Sequence, residues 1–160
     1  MPIMITLTIM RTMTLCTGRS RRRNLRARGT GASRLGLQLA AIAIGATLGA
    51  WLRWGLSMWL NPRVAHFPMG TLAANLVGGY LVGIAVAYFA AHATLAPEWR
   101  LLAITGFLGG LTTFSTYSAE VVQLMQTGRL GEASLVALVH LIGSLLLTLL
   151  GFATYRALAG

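Results

Sequence analysis

From residue 35 to its end the chain alternates long apolar runs with short polar punctuation, and the runs set the elements. A helix that crosses a bilayer needs about 20 mostly apolar residues. Four runs are long enough. The first covers about residues 35–60 and stops at Asn61-Pro62-Arg63, a turn signal with a helix-breaking proline. The second, about residues 67–92, opens with Pro68 and closes before Pro97. The third covers about residues 99–125 and the fourth about residues 132–158. Their connections are short, which predicts antiparallel neighbours in a compact all-α membrane bundle of four transmembrane helices.

Composition agrees with this class. Of 160 residues 56% are hydrophobic and 10% charged, whereas a soluble domain carries about 25% charged residues. The length allows roughly one domain. The charge consists of thirteen arginines against Glu98, Glu120 and Glu132, a net +10. That balance suggests a nucleic-acid partner until the arginines are located. Eight of them precede residue 35, and the body from 35 to 160 carries only 5 − 3 = +2. Residues 1–34 therefore read as an Arg-rich N-terminal tail and 35–160 as the membrane domain. A secretory signal places its positive charges before its apolar run; here the weakly apolar residues 3–15 come first and the arginine block of 19–28 comes after. The expectation is a disordered tail lying against anionic lipid headgroups, or a segment absent from a mature chain that starts near Leu35. The tail has no aromatic residue to stack a base on, so no nucleic-acid partner is expected. The lone Cys16 excludes an internal disulfide framework and a cysteine zinc site.

Polar groups at membrane depth are costly unless paired or used, so they mark function. The densest set is Gly106-Phe107-Leu108-Gly109-Gly110-Leu111-Thr112-Thr113-Phe114-Ser115-Thr116-Tyr117-Ser118 in the third run. Paired glycines weaken a helix, and the hydroxyls after them can take over released backbone groups. This predicts a third helix broken near its middle, with carbonyls freed around residues 109–113, a feature that membranes tolerate only inside protein or beside a water-filled cavity. Close helix packing is the alternative, since Gly106 and Gly110 also form a small-xxx-small pair, as do Gly45 with Gly49 and Gly79 with Gly83. In the second run Thr71 and Asn75 share a face; the asparagine amide can serve a dehydrated anion or simply an interhelical hydrogen bond. His140, Ser144 and Thr148 form a stripe on the fourth run, with hydroxyls bonded to their own i−4 carbonyls and His140 at the rim as the bland reading. Arg53 between Trp51 and Trp54 reads as a snorkelling arginine in an aromatic belt, and Glu120 as a vestibule group or an arginine's partner. Paired carboxylates, HExxH and Gly-x-Ser-x-Gly are absent from the sequence, so no enzyme is expected.

Gly49-Ala50-Trp51-Leu52-Arg53-Trp54, Gly70-Thr71-Leu72 with Asn75, and Gly109-Gly110-Leu111-Thr112-Thr113-Phe114-Ser115-Thr116 occur in this order over the membrane domain. Together they resemble the CrcB/Fluc family of fluoride channels. The resemblance implies a dual-topology homodimer of antiparallel four-helix subunits with two narrow pores. It implies a structural sodium ion at the dimer interface, held by the carbonyls of Gly109 and Thr112. It places Asn75, Phe114, Ser115, Thr116, Tyr117, Ser144 and Thr148 along the fluoride pore, with Arg53 and Glu120 in support. Tyr117 departs from the family's second pore phenylalanine.

The function implied by the resemblance is that of a passive fluoride channel in a prokaryotic inner membrane, lowering cytoplasmic fluoride. Its partners would be fluoride, the bilayer and a second copy of the chain. Fluoride is small and strongly hydrated, so its pore must replace water with many donors. The alternatives are a small proton- or sodium-coupled exporter, against which the lack of an acidic residue in the first two runs counts, and a non-conducting scaffold.

Overall fold

The computed structural model describes residues 33–61 and 68–160. The chain divides into two units, Met1–Leu37 and Gln38–Gly160. Of the first unit, residues 33–37 are described and are helical; residues 1–32, which carry most of the expected arginine tail, lie outside the described residues. The described residues are helical, without a strand among them.

Helix α1 (Ser33–Leu60) begins two residues before the expected run and ends where it was expected to end. Helix α2 spans Met69–Ala91. The Asn61 side-chain oxygen accepts from the Gly70 N–H at 2.8 Å, satisfying one of the amides that open a helix. Residues 97–111, α3, begin with Pro97 at the first helical position, run as a π-helix over Leu101–Leu108 and finish on the turn Gly109–Leu111. Thr112 and Thr113 are extended, and α4 takes over at Phe114–Gln126. Gly128, at φ 75°, then reverses the chain. Its N–H reaches the Met125 carbonyl and that of Arg129 the Leu124 carbonyl, the two bonds of a glycine helix stop. Helix α5 covers Leu130–Ala159. Three of these helices, α1, α2 and α5, are long and apolar enough to cross a membrane.

Glycine decides how closely the helices meet. A Cβ on Gly49 of α1 would stand 2.1 Å from the Phe107 carbonyl oxygen, and one on Gly110 2.5 Å from that of Ala46. Between α2 and α5 the same holds at Gly83 against Thr148 and at Gly151 against Tyr80. Backbone thus lies on backbone, as small residues permit in membrane helices. A core of Ala74, Leu108 and Leu111 and another of Leu124, Ala133 and Val136 fill the gaps. Many large apolar side chains of α5, among them Leu135, Leu138, Ile142, Leu146 and Leu149, face outward, the opposite of a soluble helix bundle.

Candidate functional site

The site is built where α3 gives way to α4. An extended residue points its N–H and C=O in the same direction, as in a strand pair. At Thr113 both are met by one side chain from α2: the Asn75 amide nitrogen donates to the Thr113 carbonyl at 3.1 Å, and its oxygen accepts from the Thr113 N–H at 2.8 Å. The Thr113 hydroxyl oxygen caps α4 by accepting from the Thr116 N–H at 3.2 Å. In a continuous helix the Thr113 and Thr116 amides would serve the carbonyls four residues back, which belong to Gly109 and Thr112. Both donors are diverted. The Gly110 carbonyl is met instead by Arg53, whose Nε donates at 3.1 Å.

Beside this junction lies a cavity of about 300 Å³ between α2, α4 and α5. Of the residues singled out from sequence, Asn75, Thr112, Phe114, Tyr117, Ser144 and Thr148 line it. Phe114 and Tyr117 meet edge-on with ring centres 5.4 Å apart. The Thr148 proton points at backbone, with the Ser144 and Gly79 carbonyls at 2.8 and 3.0 Å, so the self-bonded reading of the fourth-helix hydroxyls fits that residue. Gly109, Ser115, Thr116, Arg53 and Glu120 do not line the cavity. Ser115 and Thr116 gather around the Thr113 hydroxyl at 3.2 and 3.1 Å.

Three sequence expectations change. His140 is not at a rim: it is 3% exposed, lines the cavity and has Nδ1 3.1 Å from the Asn75 amide nitrogen. Tyr117 stacks on its ring at 4.7 Å. Arg53 does not simply snorkel, because the broken end of α3 offers it a carbonyl. Glu120 finds a hydroxyl rather than an arginine, accepting from the buried Thr71 at 2.6 Å. The four-residue spacing to Ser144 and Thr148 marks His140 in the sequence, but the reading of it as a structural residue at the rim misses its place against Asn75.

Comparison with known proteins gives the family. Residues 40–152 match the family described as CrcB-like protein, Camphor Resistance (CrcB). A protein of Cupriavidus taiwanensis named "Fluoride-specific ion channel FluC" is 61% identical over 123 residues, 77% of this chain and 98% of the relative. Proteins of the same name from Pseudomonas putida and Acinetobacter baumannii are 57% and 55% identical over 122 residues, 76% of this chain and 96% of each relative. With the motifs, the apolar helices and the match over most of its length in agreement, this multi-pass membrane protein belongs to the CrcB family.

Proposed function

We propose that the protein is a fluoride-selective channel that lets cytoplasmic fluoride leave the cell passively, from a prokaryotic inner membrane. The observation that carries this reading is the cavity beside the α3–α4 junction. It gathers amide, hydroxyl, imidazole and aromatic groups beside Leu141 and Leu145, and among the described residues neither a carboxylate nor an arginine is in its lining. A small anion loses its water only where fixed donors replace it, and it leaves again only where binding is not too strong. Neutral donors and electropositive ring edges meet both needs. Asn75, Phe114, Tyr117, Ser144 and Thr148 line the path in this reading, and Ser115 and Thr116 extend the hydroxyl set through Thr113. Arg53 and Glu120 support it, the first by holding the end of α3 and the second by fixing α4 to Thr71.

The third span is here a helix broken at Thr112 and Thr113. The carbonyls of Gly109 and Thr112, whose usual helical donors turn to Asn75 and to the Thr113 hydroxyl, suit a hard monovalent cation, since backbone oxygens at helix C-terminal ends bind such ions in transporters. These residues would hold the structural sodium, which would supply positive potential near the anion path and join two broken helices. Phe114 lines the cavity while 79% exposed, which supports a site completed by a second copy in an antiparallel, dual-topology homodimer.

Fluoride efflux from liposomes, followed with an electrode, tests the reading. With an ionophore balancing charge, vesicles should release fluoride and retain chloride without any imposed proton or sodium gradient. Release that needs such a gradient would make the protein a coupled exporter, and no release would make it a scaffold.

A further inference from the structure

The orientation of the Asn75 amide is settled by Thr113. Only one arrangement lets nitrogen donate to the Thr113 carbonyl and oxygen accept from its N–H. The atom 3.1 Å from His140 Nδ1 is therefore an N–H donor. A neutral imidazole has one donor and one acceptor nitrogen, so Nδ1 accepts and the ring proton sits on Nε2. That nitrogen is buried and without a partner among the described residues, on a side chain 97% buried that borders the cavity. Buried polar groups are nearly always satisfied, and an exception points to an ion or water that belongs there. Tyr117 stacks on the imidazole with 23° between ring planes.

We propose that Asn75 is a positioning residue in this chain. Both of its amide hydrogens are engaged, one by Thr113 and one by His140. It acts by splinting the extended residue and by fixing His140 in the Nε2–H tautomer, so the hydrogen left unspent for a small anion is that of the imidazole, buried in the protomer, and not one of the asparagine amide's. Fluoride as that anion rests on the channel function proposed for this cavity; the position of the proton does not.

Nitrogen NMR of the full chain, labelled at histidine and reconstituted in lipid, reads the proton directly, and the His140→Gln spectrum shows which of the three histidine signals is His140. Wild-type protein should show one-bond N–H coupling at Nε2 and none at Nδ1. In Asn75→Asp, whose carboxylate only accepts, the proton should move to Nδ1; in Asn75→Ala both tautomers should appear. Fluoride, and not chloride, should shift the Nε2 proton resonance. In the flux assay His140→Gln, whose amide nitrogen reaches the place of Nε2, should conduct about tenfold faster than His140→Asn, whose nitrogen reaches the place of Nδ1. A proton on Nδ1 in the wild type, a tautomer indifferent to residue 75, or equal flux in the two variants would overturn the assignment. Wild-type vesicles that hold their fluoride would instead overturn the functional reading while the tautomer result stood.

Discussion

Phe114 and the interhelical glycines differ in what a substitution should disturb, fluoride passage in the one case and folding in the other. Phe114 is 79% exposed in the protomer, so truncating it removes little internal packing. Phe114→Ala should abolish fluoride efflux while the thermal unfolding midpoint in detergent stays within a few degrees; normal flux would take the ring out of the path. Gly83 shows the reverse pattern. Its missing Cβ would stand 2.1 Å from the Thr148 carbonyl oxygen, an atom of the backbone that cannot swing aside. Overpacking of this kind costs about 1–3 kcal/mol, and Gly83→Ala should lower the unfolding midpoint clearly. Gly55 is the control: nothing lies within 4 Å of a Cβ there. In mid-helix, Gly55→Ala should be neutral or should stabilise by up to about 1 kcal/mol.

Among the elements, α3 and α4 are the pair whose junction is made by side chains rather than by helix hydrogen bonds. Thr113 caps α4 through its hydroxyl, and losing such a cap costs about 1–2 kcal/mol. Thr113→Val should therefore speed hydrogen exchange at the amides of residues 115–117 while leaving α5 protected; unchanged exchange would show that the cap is idle. At the other end of the junction, Arg53→Met leaves the part-buried Gly110 carbonyl without its donor, a loss of about 1 kcal/mol. Denaturant unfolding should report that loss. Much of the element scale was legible in the sequence, because hydrophobic length and proline punctuation are local: α1, α2 and α5 start and stop within a few residues of the expected runs. The glycines and hydroxyls of residues 109–116 drew attention to the junction for the same reason. Partners were not legible. Arg53 is flanked by tryptophans, so its neighbours suggested an aromatic belt, while its actual acceptor is 57 residues away. His140 meets Asn75 across 65 residues, a pairing created only when α2 packs on α5. Glu120 reads from sequence as a vestibule group or an arginine's partner, and packing brings it Thr71.

For the molecule as a whole, the open matter is how a chain so strongly charged at one end could serve an antiparallel pair. Arginines near span ends set orientation. Read from the sequence, four crossings would put Arg100 and Arg156 on the side of the N-terminus and Arg63 and Arg129 on the other, with Arg53 inside the first span near that second side, so the membrane domain would have almost no bias and should insert both ways. The eight arginines before residue 35 add a bias that the domain lacks. A polybasic segment beside a membrane helix is attracted to an anionic leaflet by about 1 kcal/mol per arginine, enough to favour one orientation strongly. A chain starting near Leu35 should therefore label from both faces of the membrane, assemble and conduct fluoride. Full-length protein should show the same two-sided labelling in cells if antiparallel assembly is how this chain works, which requires that the arginine segment be cut off or be carried across. Cysteine labelling at the C-terminus, in a background with Cys16 replaced, distinguishes the cases. One-sided labelling of a full-length homodimer that still passes fluoride would overturn the antiparallel arrangement, and with it the assignment of the Gly109 and Thr112 carbonyls to a cation shared by two oppositely inserted copies.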